Sequence, residues 1–471
     1  MSASANATSR PVSATLGELN ATGYFPRTVK HEIRDNLVAA LRNPDVETAF
    51  PGIVGFDDTV LPELERALLA GHDFVLLGER GQGKTRIMRT LIGLLDEWSP
   101  EVEGCEIHDE PNAPVCARCL RLSDDLGDAL PISWRHRSDR YGEKLATPDT
   151  SVGDLVGDVD PIKVAEGRTL GDPETIHYGL VPRTNRGVFA LNELPDLAER
   201  IQVALFNVLE ERDIQVRGYS LRLPLDLLLV ASANPEDYTN RGRIITPLKD
   251  RFGAEIRTHY PLEIDDEVTL IEQEAKPSAT LPHHLVEVVA RFARGLREST
   301  AVDQRAGVSA RFAVAATESL AAGALRRSAR TDGSEPVARV CDLPGVVPTL
   351  LGKIEFEMGE EGREREVLDH LLRVATAETF RALLAGLDLS GFTDRFAEGS
   401  TVETGELVPA QQLLDQLGPV PGLAKVLHRL GEGDAPSPGQ AAAAVEFVLE
   451  GLYLTRRISK ESVDDLIVYG S

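Results

Sequence analysis

The sequence predicts an α/β fold in which an open, mostly parallel β-sheet is flanked by helices on both faces. Three apolar segments typical of buried strands, 74–77, 187–191 and 227–231, alternate with segments whose apolar residues recur at helical spacing. A glycine-rich stretch, 78–85, joins the first strand directly to a helical segment. Strands that alternate with helices favour parallel pairing, because each helix carries the chain back across the sheet.

Composition limits the number of domains and the classes of partner. The 471 residues exceed one ordinary core, so we expect two or three domains. Hydrophobic residues make up 42 % and charged residues 27 %, as in globular proteins, and no apolar run reaches the roughly 20 residues that span a bilayer. The formal charge of −25 disfavours nucleic acid as the main partner, since phosphate neutralisation needs a basic surface. We therefore expect a cytoplasmic protein that binds neither membrane nor nucleic acid.

The pattern of elements divides the chain into four segments. They are a disordered N-terminal lead, a nucleotide-binding core, a helical lid and an additional C-terminal helical extension, over residues 1–25, 26–262, 263–330 and 331–471. Within the core, a stretch rich in Cys, Pro and acidic residues at about 99–131 lacks periodicity and is expected to be an insertion.

A phosphate-binding loop is the most informative motif. The apolar strand Phe74–Leu77 runs into the pattern G-x-x-x-x-G-K-T, and an amphipathic helix follows. The loop residues are Gly78, Glu79, Arg80, Gly81, Gln82, Gly83, Lys84 and Thr85. The glycines let backbone N–H groups turn toward phosphate oxygens, Lys84 can reach the β- and γ-phosphates, and Thr85 can hold Mg²⁺. The motif predicts that the chain binds ATP or GTP.

Candidate residues for hydrolysis follow the predicted strands. Splitting the nucleotide needs an oriented water, a metal ion and positive charge at the γ-phosphate. Asn192 and Glu193 end one strand, and we expect Glu193 to orient water and Asn192 to lie near Mg²⁺. Asn234 ends the next strand and can reach the same water or the γ-phosphate. Arg251 suits donation to the ATP of a neighbouring subunit, and Arg311 opens a later helix that can close on the nucleotide.

In these motifs the chain resembles the AAA+ ATPases, and within them the magnesium-chelatase I subunit and MoxR-like clade, from about residue 50 to 325. The matching segments are 50–55, 78–85, 179–187, 233–237 and 250–253. The resemblance implies a P-loop AAA+ core that hydrolyses ATP with Mg²⁺ and remodels or activates a partner protein. It also implies a homo-oligomeric ring, usually a hexamer, that often works with a protein carrying a von Willebrand factor A domain.

The resemblance assigns roles to individual residues. These are Walker A for Lys84 and Thr85, the Walker B glutamate for Glu193, sensor 1 for Asn234, the arginine finger for Arg251, sensor 2 for Arg311, and the adenine pocket for Ile53, Val54 and Gly55. The stretch 147–186 resembles the extra hairpin of this clade, which faces the pore or a partner.

One departure from the family concerns the metal. The Walker B aspartate is replaced here by Asn192, whose neutral amide attracts Mg²⁺ less strongly than a carboxylate. We expect weaker Mg²⁺ binding or slow turnover, and a slow nucleotide-gated switch or scaffold is an open alternative. A sigma-54-type transcription activator is another alternative that shares the ATPase core. No G-A-F-T-G-A segment lies between Thr85 and Asn192, however, and 458–466 is only a weak helix-turn-helix candidate.

Four residues inside the predicted insertion have the spacing of a zinc site. Cys105 and His108 form one pair separated by two residues, and Cys116 and Cys119 form another. Three cysteines with one histidine are a standard structural zinc set. Two alternatives remain open, namely reduced thiols near a histidine and a redox-sensitive Cys116/Cys119 pair. The histidines at 283–284 lack such neighbours and are expected at the surface.

Overall fold

The computed structural model describes the whole chain except residues 1–8, 47, 161, 163–164, 166–174, 211–212, 217–218, 235–243, 304–306, 398, 434 and 464–465. The described residues form two compact units. The first contains residues up to Glu79 together with Gly83–His259, and the second contains Arg80–Gln82 together with Tyr260–Ser471. Among the described residues, every helix is too short or too polar to cross a membrane.

The strands of the first unit include a five-stranded parallel sheet. In chain order the strands are β1 Phe74–Leu77, β2 Trp98–Val102, β3 Ile132–His136, β4 Tyr141–Leu145, β5 Gly157–Val159, β6 Ile176–Tyr178, β7 Gly187–Asn192, β8 Asp213–Val216, β9 Tyr219–Arg222, β10 Leu227–Ala233 and β11 Ala254–Arg257. The parallel sheet has the order β11-β1-β10-β7-β4. The predicted open parallel sheet is therefore confirmed.

The register of the sheet brings the predicted strand ends together. Leu77 at the end of β1 pairs with Ala233 at the end of β10, and Ala231 pairs with Leu191 of β7. The residues that follow β1, β7 and β10 consequently emerge along the same carboxyl edge, where parallel sheets bind their ligands.

Helices cover both faces of this sheet. In chain order they are α1 Leu16–Ala21, α2 Val29–Arg42, α3 Val60–Leu69, α4 Lys84–Thr90, α5 Ala117–Leu126, α6 Val152–Leu155, α7 Leu180–Arg183, α8 Glu199–Glu210 and α9 Thr246–Arg251. Phe74 and Leu76 of β1 pack into a core with α2, α3 and α4. Val75 and Leu77 face the opposite core, with α8 and α9. The alternation of β1 side chains thus divides the apolar residues between two layers.

The expected disordered lead is wrong for part of its length. Thr15 caps helix α1 by accepting a hydrogen bond from the backbone N–H of Glu18, at 3.3 Å. Leu16 and Leu19 are buried in the core that contains α8. The prediction rested on the polar composition of the segment and gave no weight to these two leucines. Their burial stabilises the helix. Residues 1–8 lie outside the described chain.

The insertions of the first unit contain strands that periodicity did not reveal. β2 and β3 pair antiparallel and enclose the cysteine-containing segment with its helix α5. β5 and β6 also pair antiparallel, within the stretch that resembles the clade's extra hairpin. Most of the segment between β5 and β6, which includes residues 166–174, lies outside the described chain. A further hairpin, β8–β9, follows α8.

The second unit is mainly helical and has one extended core. Its helices are α10 Ile264–Glu274, α11 His283–Glu298, α12 Ala310–Arg330, α13 Val346–Leu350, α14 Glu364–Leu384, α15 Ser390–Ala397, α16 Ala410–Leu417, α17 Leu423–Arg429 and α18 Pro438–Leu454. The core draws on the predicted lid and on the predicted C-terminal extension together. A buried ion pair between Arg339 and Glu446 lies within it.

The C-terminal extension is not wholly helical, contrary to the prediction. Strands β12 Val402–Thr404, β13 Ser459–Val463 and β14 Leu466–Gly470 form an antiparallel sheet in the order β12-β14-β13. The weak helix-turn-helix candidate at 458–466 therefore falls largely on a strand. The β-branched and aromatic residues of β14 favour a strand, but five residues are too few to reveal the pattern beside long helices.

Candidate functional site

The phosphate loop connects the inner strand β1 to helix α4, as predicted. Gly81 and Gly83 have φ values of 78° and 74°, in the left-handed region that glycine adopts without strain. Such residues turn successive backbone N–H groups toward the inside of the loop. Helix α4 begins at Lys84, so its first N–H groups and the positive end of its dipole also lie at the loop.

The side chain of Lys84 is folded onto this loop. It is 7 % exposed, and its Nζ donates hydrogen bonds to Gly78 O, to Glu79 O at 2.7 Å and to Asn234 Oδ1 at 2.8 Å. These three acceptors are neutral oxygens. An anionic phosphate oxygen is a stronger acceptor for an ammonium group, so the loop fits a nucleotide phosphate.

Asn234 and Glu193 continue the network at the sheet edge. Asn234 Nδ2 donates to Glu193 Oε2 at 2.7 Å, and the backbone N–H of Glu193 donates to Ser232 Oγ at 3.2 Å. Glu193 has φ 56° and ψ 48°, a left-handed conformation that costs a non-glycine residue about 1–3 kcal/mol. Such strain is concentrated at functional sites. The structure therefore brings together Lys84, Asn234 and Glu193, which the sequence singled out separately.

A second group of polar side chains lies on the Thr85 side of the loop. Thr85 Oγ1 donates to Asn192 Oδ1 at 3.3 Å, and Ser232 Oγ donates to the same oxygen at 3.3 Å. Asn192 Nδ2 in turn donates to Glu143 Oε1 at 2.8 Å. The two predicted Mg²⁺ ligands, Thr85 and Asn192, are thus neighbours, with a carboxylate beside them.

Glu143 is a residue that the sequence analysis missed. It lies on β4, directly beside β7 in the sheet, and Arg89 of α4 binds both of its carboxylate oxygens, at 2.9 and 3.1 Å. These hydrogen bonds raise the pKa of Arg89. The five residues of β4 carry no clear alternation of apolar and polar side chains, so no sequence signal placed Glu143 next to Asn192.

The predicted adenine segment lies against the start of α4. A Cβ atom added to Gly52 would lie 2.7 Å from Arg86 Nη2, and one added to Gly83 would lie 3.9 Å from a ring carbon of Phe56. Residues 53–55 lie between Gly52 and Phe56 and are half-buried. Their position beside the phosphate loop is compatible with an adenine pocket.

The two predicted arginines belong to different parts of the chain. Arg251 ends α9, and its guanidinium lies 2.6 Å from Glu210 Oε2 and 3.7 Å from Asp73 Oδ2. Asp73 precedes β1, so Arg251 lies at the amino edge of the sheet, opposite the phosphate loop. Arg311 belongs to the second unit, where it is the exposed second residue of α12.

The structure brings together only three of the four residues predicted to bind zinc. Cys105, Cys116 and Cys119 lie together, but the fourth group among them is Asp109. His108 has a φ of 55°, and its Nδ1 lies 2.7 Å from Glu101 Oε2. The left-handed turn at His108 directs its ring to β2 and brings the next residue into the cluster, which spacing alone could not indicate.

Comparisons with known proteins agree with this architecture. The sigma-54 interaction domain family matches residues 169–251. The magnesium-chelatase 38 kDa subunit of Rhodobacter capsulatus is 29 % identical over an alignment of 249 positions, and the match covers 49 % of this chain and 63 % of that protein. The magnesium-chelatase 38 kDa subunit of Acidiphilium rubrum is 30 % identical over 304 residues, which are 64 % of this chain and 74 % of that protein.

Solved structures are more distant. A structure of the complex between subunits BchI and BchD of magnesium chelatase contains a chain that is 21 % identical, with a TM-score of 0.35, and the match covers 68 % of this chain and 98 % of that one. NtrX from Brucella abortus in complex with ATP is 14 % identical, with a TM-score of 0.40, and the match covers 77 % and 70 % of the two chains. Scores below 0.5 add no weight to the assignment.

The family assignment follows from the sequence relatives. The chain spans less than two thirds of the Rhodobacter capsulatus protein, but it covers nearly three quarters of the Acidiphilium rubrum protein at 30 % identity. The parallel sheet, with its phosphate loop at the carboxyl edge, agrees with that relationship. The chain belongs to the magnesium-chelatase I subunit family of AAA+ ATPases.

Proposed function

We propose that the chain is a cytoplasmic ATPase that binds ATP with Mg²⁺ at the carboxyl edge of the sheet and uses hydrolysis to remodel or activate a partner protein. The observation that carries the proposal is the continuous hydrogen-bonded chain from Lys84 through Asn234 to Glu193. It joins a group suited to binding the γ-phosphate to a carboxylate suited to orienting water.

Each of these residues has a distinct task in the proposed reaction. Lys84 exchanges its neutral acceptors for phosphate oxygens when the nucleotide binds. Asn234 accepts a hydrogen bond from Lys84 and donates one to Glu193, so movement of Lys84 toward a phosphate alters both of its contacts. Glu193 then accepts a proton from the attacking water as general base. The network links occupancy of the loop to the position of the base.

The residues near Thr85 have the chemistry of a Mg²⁺ site. Hydroxyl, amide and carboxylate oxygens are the ligands that Mg²⁺ takes in proteins, usually together with water and phosphate. Bound Mg²⁺ would neutralise charge on the phosphate oxygens. Thr85 and Asn192 offer neutral oxygens, and Glu143 supplies the negative charge that Asn192 lacks. We propose that Glu143 compensates for the missing Walker B aspartate.

We extend the proposal to a ring of identical subunits, usually six in this clade, with Arg251 donated to the site of a neighbour. The position of Arg251 at the opposite edge of the sheet from the phosphate loop supports action on another subunit's nucleotide. Arg311 of the second unit is proposed to act as sensor 2. The ring is proposed to work with a separate partner, for which a von Willebrand factor A protein is our candidate.

A slow nucleotide-gated switch is the second candidate function, and Asn192 is the observation that favours it. An amide in place of a carboxylate weakens the attraction for Mg²⁺, and Lys84 already has three acceptors without nucleotide. Steady-state phosphate release over many turnovers separates a hydrolase from such a switch.

The proposed function is tested by replacing the base. Glu193→Gln keeps the shape of the side chain and should retain ATP binding, measured with a fluorescent ATP analogue. Its phosphate release should fall by roughly 100-fold or more. Glu199→Gln, at an exposed carboxylate that opens α8, is the matched control and should hydrolyse ATP like the wild type. Equal rates for Glu193→Gln and the wild type would overturn the assignment.

A further inference from the structure

Four buried side chains converge in the insertion between β2 and β3. The thiol groups of Cys105, Cys116 and Cys119 and one carboxylate oxygen of Asp109 all lie within 4.8 Å of one another. The Cys105 and Cys116 sulfurs are 4.0 Å apart. Two thiolates bound about 2.3 Å from one tetrahedral ion lie about 3.8 Å apart, whereas a disulfide brings sulfurs to about 2.05 Å. The spacing suits metal ligands and not a disulfide.

Asp109 has a buried carboxylate oxygen without a hydrogen-bond partner in the described structure. It is 0 % exposed, and its Oδ2 accepts hydrogen bonds from the backbone N–H groups of Val115 at 3.1 Å and Cys116 at 2.9 Å. Its Oδ1 is the oxygen that lacks a partner among the described residues. A buried polar atom without a partner costs about 1–3 kcal/mol, more for a charged group. A cation held by the Asp109 carboxylate together with the thiols would offset that cost.

The surroundings of the cluster favour thiolates. The backbone N–H of Asp109 donates to Cys105 Sγ at 3.4 Å, and that of Cys119 donates to Cys116 Sγ at 3.3 Å. Cys116 is also the N-cap of α5, where the helix dipole stabilises negative charge. Hydrogen bonds of this kind orient and tune metal-bound sulfur.

We propose that Cys105, Asp109, Cys116 and Cys119 form a structural zinc site in which Asp109, and not His108, is the fourth ligand. Three thiolates with one carboxylate provide four ligands, the number that a closed tetrahedral zinc site uses. Sulfur-rich tetrahedral sets select zinc over Mg²⁺ or Ca²⁺, which prefer oxygen. His108 is engaged by Glu101, so it is not needed for the site.

The site would fix the loop that holds the start of β7. Asn185 Nδ2 donates to Ile107 O at 3.0 Å, and Arg186 forms an ion pair with Glu110 at 2.7 Å. Ile107 and Glu110 lie inside the proposed zinc loop, and Arg186 directly precedes β7. Zinc would therefore stabilise the strand that ends in Asn192.

The proposal is tested by the metal content of the full chain, purified under reducing conditions from zinc-containing medium. Mass spectrometry of the metals should find about one zinc per chain in the wild type. Asp109→Ala and Cys116→Ser should lose it. His108→Ala and Cys341→Ser are the matched controls, and both should keep zinc. The ring of His108 faces Glu101 and not the cysteines, and Cys341 is not among the clustered residues.

X-ray absorption of the wild type keeps the test decisive if a variant fails to fold. Zinc should show sulfur together with one light atom, without the scattering pattern of an imidazole. Any of three results would overturn the proposal: a chain that holds no zinc and takes none up, a Cys116–Cys119 disulfide in its place, or loss of zinc in His108→Ala. Each readout is independent of ATP hydrolysis, so failure here leaves the proposed function intact.

Discussion

Two polar groups lie in the first unit: the nucleotide edge, formed by Lys84, Asn234 and Glu193, and the cysteine cluster, formed by Cys105, Asp109, Cys116 and Cys119. They differ in whether the atoms that would bind a ligand already have hydrogen-bond partners within the protein. At the nucleotide edge, Lys84 and Glu193 already have protein partners, Gly78 O, Glu79 O and Asn234. In the cysteine cluster, Asp109 Oδ1 has no partner in the described structure and no access to water. A site that exchanges its ligand benefits from substitutes within the protein, because an empty state with unpaired buried groups is costly. A site that keeps its ion needs no such substitutes.

The largest expected effect is that of Lys84→Ala, which breaks the nucleotide edge alone. The variant lacks the two hydrogen bonds that Lys84 is expected to donate to the β- and γ-phosphates, each worth about 1.5–3 kcal/mol. ATP affinity should therefore fall by at least about 100-fold. Zinc content should stay unchanged, since the cysteine cluster has its own ligands. Titration with a fluorescent ATP analogue measures the first effect, and Lys144→Ala on β4 is the control lysine. Undiminished ATP binding by Lys84→Ala would contradict the site.

The next largest effect is expected from mixing two inactive variants. It tests a second difference between the two sites, because the nucleotide edge is proposed to be shared between subunits and the cysteine cluster is not. Arg251→Ala and Glu193→Gln should each be inactive alone. Mixed in equal amounts, they should recover activity at about a quarter of the interfaces, those that combine an intact base with an intact arginine. Arg257→Ala, at an exposed arginine of β11, controls for loss of charge. Absence of recovery at every mixing ratio would exclude donation between subunits.

A smaller effect is expected from Glu143→Gln, which removes the carboxylate beside Asn192. The Mg²⁺ concentration needed for half-maximal ATP binding should rise about tenfold, equivalent to about 1.4 kcal/mol. Arg89→Gln removes the partner of Glu143 but leaves the carboxylate, so its Mg²⁺ requirement should not rise. Magnesium titrations of ATP binding distinguish the two variants. An unchanged requirement in Glu143→Gln would show that Asn192 acts without this carboxylate.

The last effect concerns His284, which lies outside both sites and shows that a buried group without a hydrogen-bond partner need not be a ligand. The sequence places it at the surface, but it is fully buried, and both of its ring nitrogens lack hydrogen-bond partners in the described structure. Among charged groups, Glu432 Oε1 lies 3.9 Å away, and His283 is its neighbour in the chain. Burial, with a smaller effect of His283, lowers the pKa of His284 to about 3.

The lowered pKa makes the stability of the second unit depend on pH. Below the ordinary pKa of 6.5, the unfolded chain takes up a proton at this residue that the folded chain does not. The free energy of unfolding should therefore fall by about 1.4 kcal/mol per pH unit as pH decreases from about 6.5 toward about 3. Urea unfolding at about pH 6 and about pH 5 should show a shallower dependence in His284→Leu than in the wild type. Equal slopes would contradict the burial of a neutral imidazole.

Local signals in the sequence predicted the parts of the fold that depend on neighbours in the chain. The strand 74–77, the phosphate loop and the strand ends at Asn192 and Asn234 were all visible as apolar runs followed by polar residues. Glu143 was missed because its relation to Asn192 is made by sheet pairing across 49 residues. Asp109 was missed because the left-handed backbone of His108 turns the His108 ring away from the cysteines and brings Asp109 to them. Neither strand pairing between distant residues nor a single left-handed residue produces a periodic pattern in the sequence.

We propose a Mg²⁺-dependent ATPase site that forms at the carboxyl edge of the sheet and is completed by a neighbouring subunit. Phosphate release by the purified full chain, measured against protein concentration with Mg²⁺ and with a chelator that removes it, tests this most directly. We expect Mg²⁺-dependent release whose rate per chain increases with protein concentration until assembly is complete. A chain that releases no phosphate at any concentration, or one whose rate per chain is the same in dilute monomer, would contradict it.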